Sequence, residues 1–239
     1  MLGYPEKALA SITDSLALSE RIAHAFTLSA ALSVSSVVYL NRREPERALR
    51  QLEAAELLAA EQRLSLIFET GMLRGAALAE QGAVDEAIAR TREGVTKWTR
   101  LGRTFLLPYG LAFLAQGLVR HGDQAAALAA LREGLALADV TGEHFWDAEL
   151  HRLTGTALLA ENKLDEGGAS LQHAIHIAQA QQAKSLELRA TASLARLWRD
   201  QGKVQKAREL LAPVYGWFTE GFDTLDLKEA KGLLDELSS

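Results

Sequence analysis

The sequence predicts an all-α chain built as a solenoid of antiparallel helical hairpins, and two observations lead there. The first is composition: 239 residues hold 41 alanines and 42 leucines against 15 valines plus isoleucines. Alanine and leucine are strong helix formers, whereas the β-branched residues that fill strands are scarce. The second is an internal repeat, because a short turn followed by an alanine-centred amphipathic helix recurs along the whole chain. Taking the small residue about five positions after each turn as an anchor gives Ala8, Ala48, Ala87, Ala127, Gly167 and Ala207, spaced 40, 39, 40, 40 and 40 residues apart.

Each element follows from that register. Gly3, Gly82, Gly122, Asn162 and Gly202 open the turns with residues suited to a left-handed backbone, with Arg43 as the exception. Pro5 and Pro45 stand where a first helical position lacks a hydrogen-bond partner in any case. The second helix of each hairpin, helix B, is therefore expected to start near 5, 45, 84, 124, 164 and 204. The preceding helix A segments are expected over about 21–40, 63–80, 104–120, 144–160 and 184–200. The first hairpin shows only its helix B, leaving the stripe Leu9, Ile12, Leu16 without a helix A before it. At the other end Trp217, Phe218 and Phe222 crowd a turn before Asp223, a good N-cap residue. Leu227, Ala230, Leu234 and Leu237 then form one face of a capping helix, whose acidic residues suit the solvent side.

Columns around the anchor define the packing. Twelve residues before it stand Ser36, Gly75, Ala115, Gly155 and Ala195, all small; nine before it stand Tyr39, Leu78, Leu118, Leu158 and Trp198, all large. Four after it stand Ile12, Leu52, Thr91, Leu131, Leu171 and Leu211. Small columns mark close helix crossings and large ones fill the layers between hairpins. This order of small and large positions resembles the tetratricopeptide repeat, which implies a right-handed superhelical array. The period near 40 exceeds the usual 34, and Leu32, Gly71, Leu111, His151 and Thr191 stand where a Trp is common. The extra residues fall at the helix B to helix A junction, where longer helices or loops are expected.

The phrases FWDAELHRLTGTALLAENKLDEG, AQAQQAKSLELRATASLARLWRDQGK and ELLAPVYGWFTEGFDTLDLKEAKGLLDEL add a narrower likeness over about residues 143–238. They resemble the C-terminal repeat region of bacterial signalling proteins of rhizobial type. Those proteins join a class III nucleotide cyclase and an AAA-like or STAND-type ATPase to a tetratricopeptide tail. Leu225 stands where members often carry proline. The repeat register implies a single repeat domain over 1–239: a partial repeat 1–20, repeats of about 21–61, 62–100, 101–140, 141–180 and 181–216, and a cap over 223–238.

Several function classes drop out. The chain has no cysteine, which removes thiolate catalysis and cysteine-held zinc, and a net charge of -5 argues against nucleic acid as the main partner. The most apolar stretch, residues 25–40, is short of the roughly 20 residues a membrane span needs and carries five serine and threonine side chains. No leader pattern opens the chain, so a cytoplasmic location is expected. There is no phosphate-binding glycine loop and no cyclase aspartate pair. His144, Asp147 and His151 share a helix face at metal-compatible spacing, and His173 and His176 form a second pair, but without the HExxH pattern they read as ordinary helix polar residues. No catalytic, cofactor-binding or metal-ligating residue is assigned. Phe105 and Phe113 are read as packing residues, while Tyr109 and Trp146 invite a ligand reading that burial preference disfavours.

Function is expected on the concave face lined by helix A. Positions 18, 15, 11 and 8 before each anchor give the candidate partner-binding residues Glu69, Tyr109, Gln116, Glu149, Arg152, Thr156, Arg189, Arg196 and Arg199. Between Gln182 and Arg208 seven basic residues face two acidic ones. Two explanations stand for that basic end: a solvated helix face or an intramolecular pairing with the acidic cap on one side, or a surface for an acidic, carboxylate-bearing peptide with Arg152, Arg189 and Arg196 as donors on the other. The expected role is a non-catalytic scaffold for a protein or peptide partner. The alternative is a sensor that binds a small effector and regulates a linked ATPase or cyclase. Self-association through the bare first helix is a further expectation.

Overall fold

A computed structural model describes residues 1–64 and 70–238, and every described element is helical. In order they are α1 (Pro5–Ile22), α2 (Ala25–Asn41), α3 (Pro45–Gln62), α4 (Thr70–Glu80), α5 (Val84–Arg100), α6 (Leu107–His121), α7 (Gln124–Thr141), α8 (Asp147–Ala160), α9 (Leu164–Ala180), α10 (Lys184–Asp200), α11 (Val204–Gly216) and α12 (Leu225–Glu236). A 3-10 turn, His144–Trp146, leads into α8. The chain divides into two compact units: Pro5–His121, and Gly122–Ser239 together with Met1–Tyr4.

The repeat register is visible in the backbone. The turn-opening column is left-handed throughout, with φ of 93° at Gly3, 58° at Arg43, 85° at Gly82, 92° at Gly122, 62° at Asn162 and 75° at Gly202. A second left-handed column lies 20 residues further on, at Ala23, Arg63, Gly102, Gly142 and Gln182. Each repeat thus stops a helix twice at fixed positions, and the carbonyls freed at those ends are taken up by the amides that follow. The residues beyond the usual period lengthen helix B, since α5, α7 and α9 run 17, 18 and 17 residues.

In the unit Pro5–His121, helix A of each hairpin presses on its own helix B through the small columns. Ala48, Leu52 and Ala55 are fully buried, as are Ser33, Ser35 and Ser36 on α2. Those hydroxyls donate back to their own helix, Ser33 to the Ser29 carbonyl (2.9 Å), Ser35 to Ala31 (2.7 Å) and Ser36 to Ser33 (2.7 Å), so they enter the core satisfied. On α4, a Cβ at Gly75 would overlap Thr91 and come within 2.8 Å of the Ala87 carbonyl. Ile12 of α1 is buried, yet Leu18, Ile22, Phe26 and Val34 of α1 and α2 remain exposed.

The second unit repeats the device. A Cβ at Gly155 on α8 would lie 2.9 Å from the Gly167 carbonyl and 2.8 Å from Leu171 Cγ on α9. Leu227, Ala230 and Leu233 of α12 and its C-cap Leu237 pack on Leu188, Ala192 and Ala195 of α10 and on Leu211 and Phe218. Leu233 thus joins the face expected of Leu234, which stays partly buried. The helix begins one residue later than expected: Thr224, extended at ψ 148°, occupies the N-cap in place of Asp223. Its hydroxyl donates to the Gly221 carbonyl at 2.6 Å, which fixes the turn. No described helix is long and apolar enough to cross a membrane.

Candidate functional site

Within each unit consecutive A helices lie side by side, α2, α4 and α6 in one and α8 and α10 in the other, and the columns expected to line an open groove largely form the seams between them. Tyr109 is 3% exposed, with its ring edge-on to Phe113 at 4.3 Å, and Glu149 is 5% exposed. Met72, Ala76, Ala112 and Ala192 in the same columns are also buried. The alanines of these columns let neighbouring helices approach closely, and the larger Met72, Tyr109 and Glu149 fill the space left between them. Glu69 lies outside the described residues. Phe105, expected in the core, is exposed; its carbonyl accepts the Trp98 indole N–H at 2.7 Å, which leaves the ring in the loop between α5 and α6. Trp146 is buried.

Two polar ladders bridge these seams. In the unit Pro5–His121, the Glu80 carboxylate at the end of α4 accepts from Arg43 Nε (3.0 Å), Gln116 Nε2 (2.8 Å) and Arg120 Nη2 (2.7 Å), and Arg120 also donates to the Ala79 carbonyl. Burial works against ionisation here, but Arg43 and Arg120 outweigh it and hold the Glu80 carboxyl below the usual carboxylate range. The nomination of Gln116 captured one strut of this cluster and missed its hub. The signal was available: seven residues before successive anchors stand Glu80 and Arg120, opposite charges in one column.

In the other unit α10 and α12 run parallel and exchange charges rung by rung. Arg189 Nε donates to Asp226 Oδ2 at 2.7 Å, with the two side chains 14% and 15% exposed. Arg196 meets Glu229 at 3.1 Å with 40% and 38% exposed, and Arg199 meets Glu236 at 2.6 Å and Asp200 at 2.9 Å. Arg152 is held in a bidentate fork by Glu149 one turn earlier, at 2.8 and 2.6 Å, and Thr156 donates to the Arg152 carbonyl at 3.0 Å. Three cap acids expected on the solvent side, Asp226, Glu229 and Glu236, instead face the arginines of α10. Of the two explanations for the basic end, intramolecular pairing is the one present in this structure.

The histidines do not converge. His144 pairs with Asp147 at 2.8 Å, whereas His151 packs edge-on against His173 of α9, ring centroids 4.5 Å apart. Burial first, then the neighbouring His173, lowers the His151 pKa against the pull of Asp147. Among the described residues no group of three or more His, Asp or Glu is placed to hold a metal. A cleft of about 430 Å³ between α3, α4 and α5 carries charges of both signs, including Glu56, Arg74, Glu86 and Arg90.

These hairpins define a helical-repeat protein of tetratricopeptide-like architecture, with polar ladders where consecutive A helices meet. Comparison with solved structures agrees. A Rap protein complexed with Competence and Sporulation Factor superposes with a TM-score of 0.67 at 13% identity, over 89% of this chain and 57% of that one. A STAND ATPase with a tetratricopeptide repeat sensor from Pyrococcus horikoshii gives 0.55 at 13% identity, over 98% of this chain and 38% of the other. The TPR-like repeats of a putative kinesin light chain from Podospora anserina give 0.52 at 20% identity, over 78% of this chain and 92% of theirs. In sequence, 201 residues are 29% identical to an uncharacterised protein of Rhizobium meliloti, covering 82% of this chain and 19% of that protein. The chain therefore spans about a fifth of the relative's length. No family model matches.

Proposed function

We propose that this chain is a non-catalytic interaction and regulatory module of the cytoplasm, working as part of, or alongside, a larger bacterial signalling protein. The supporting observation is the repeat architecture itself, shared at a TM-score of 0.67 with a Rap protein that was solved in complex with Competence and Sporulation Factor. The length of the Rhizobium meliloti relative supports a multidomain setting such as the cyclase and ATPase proteins that the C-terminal phrases resemble.

Partner contact is assigned to the helix A side of α8 and α10. There Arg196 and Arg199 are the half-exposed cations, and Arg189, Arg152 and Glu149 act as internal struts. An acidic partner would compete with Glu229 and Glu236 for those two guanidinium groups. The exposed Leu18, Ile22 and Phe26 are the surface through which the first helices would self-associate. The test is capture of partners from the native host by the full chain and by an R196E/R199E variant. Loss of capture with an unchanged melting temperature supports the assignment, and equal capture rejects it.

The likeness to a STAND protein with a repeat sensor favours a second reading, in which a small effector binds the repeats and regulates a linked ATPase or cyclase. A thermal-shift screen separates the two. A metabolite at about 100 times its dissociation constant adds about 2.7 kcal/mol of stability, whereas a protein-only scaffold shows no hit.

A further inference from the structure

The segment Met1–Tyr4 packs with the second unit, where it lies against the start of α10 and the end of α11. Three separate features hold it there. The Met1 carbonyl accepts the Ser185 amide at 3.0 Å. That amide belongs to the first turn of α10, whose donors have no partner inside the helix. Gly3 is buried at φ 93°, and a Cβ there would lie 2.5 Å from Trp217 Cζ3 and 2.8 Å from Lys184 Cβ. Tyr4 then stacks at a tilt on Trp217, ring centroids 5.4 Å apart.

The receiving surface is fixed by its own contacts. Glu187, 3% exposed, takes the Lys184 ammonium at 2.6 Å and the Gln179 amide at 3.0 Å. So held, Lys184 lies over the Trp217 ring with its Nζ 5.5 Å from the centroid, and Phe218 meets that ring edge-on at 5.3 Å. Leu2, by contrast, is 61% exposed and Met1 38%. The surface therefore reads a backbone carbonyl, a residue without Cβ in the left-handed region, and an aromatic ring, while the second side chain is left largely unread and the first is only partly covered.

We propose that Lys184, Ser185 and Trp217 form a binding seat for short extended peptides of the pattern x-x-Gly-aromatic, and that Met1–Tyr4 is its resident occupant, displaced when a partner segment of that pattern arrives. The seat is assigned independently of Arg196 and Arg199, so loss of either site leaves the other standing. A tethered occupant competes at an effective concentration of order mM for a short linker. A free peptide of about 0.1 mM intrinsic affinity would thus see its apparent affinity for the occupied seat fall about tenfold.

The probe is fluorescein-labelled Met-Leu-Gly-Tyr-amide, read by anisotropy on the full chain. In the G3V variant the Cβ collision and the left-handed backbone empty the seat, so the probe should bind about tenfold or more tightly than it binds the unmodified chain. Adding W217A should abolish binding, as should replacing the probe's glycine by valine. Equal affinity for the unmodified and G3V chains, or binding that survives W217A, overturns the proposal. A second measurement needs no variant: hydrogen exchange at the Ser185 amide of the unmodified chain should be at least about tenfold slower than the free-peptide rate. Exchange at the free rate overturns the proposal whatever G3V does.

Discussion

Replacing Arg189 by alanine removes the partner of Asp226, whose side chain is 15% exposed, and the consequence for α12 can be worked out in advance. A charge-assisted hydrogen bond at 2.7 Å in that setting lies between the exposed and buried limits. Hydrogen bonds to charged groups contribute about 1.5–3 kcal/mol, so about 2 kcal/mol is expected for this rung. Arg196 and Glu229, 40% and 38% exposed, fall in the surface range of about 0.2–1 kcal/mol. Leu227 and Leu233 of α12 and its C-cap Leu237 are buried in the same interface. At about 1.5–3 kcal/mol each they keep the helix docked when a rung is lost.

Native-state hydrogen exchange over residues 225–236 reads the difference directly. R189A should speed exchange there about 30-fold, from 1.4 kcal/mol per factor of ten, and R196A no more than about fivefold. A double-mutant cycle of R189A with D226A should return a coupling of at least about 1 kcal/mol. Raising salt toward 1 M should shrink the Arg196 effect more than the Arg189 effect, because the inner pair is less screened. Equal acceleration by R189A and R196A, or a coupling under about 0.5 kcal/mol, would refute the graded ladder.

Four other outcomes follow from the same geometry. E80A should cost about 2–3 kcal/mol in urea unfolding, since it strands Arg43, Arg120 and Gln116; because the folded pKa of Glu80 is lowered, its contribution is full above the unfolded value near 4.5 and is lost as pH falls through the folded value. His151, also lowered, resists protonation when folded, so stability should fall as pH drops below about 6.5, and H151F should flatten that slope between pH 7.5 and 5. G155A should destabilise by about 1–3 kcal/mol, because the new methyl meets the Gly167 carbonyl and Leu171, and a melting temperature equal to wild type would count against the close crossing. Q182G should stabilise by about 0.5–1 kcal/mol in the same unfolding assay, by relieving a left-handed glutamine at φ 55°.

What the sequence disclosed and what it withheld have one physical origin. The anchors, the small columns and the turns follow the backbone: a crossing such as Gly75 on Ala87 excludes a Cβ, and a left-handed turn such as Gly122 penalises one, so each writes a residue type at a fixed place. Arg43, Asn162 and Gln182 show that the conformation persists where the glycine does not. The candidate site is set by pairwise matches between side chains some 33 to 40 residues apart, and a list of columns gives positions without partners. Arg189, Arg196 and Arg199 read as a cationic groove until Asp226, Glu229 and Glu236 are laid beside them at 2.7, 3.1 and 2.6 Å. The capping helix thus brings to α10 the acidic chemistry an outside partner would have to offer. Any such partner gains only the difference between its own pairing and the one it displaces. That difference costs less at the exposed Arg196–Glu229 and Arg199–Glu236 rungs than at Arg189–Asp226, so entry should begin at Arg196 and Arg199 and leave the Arg189 strut in place.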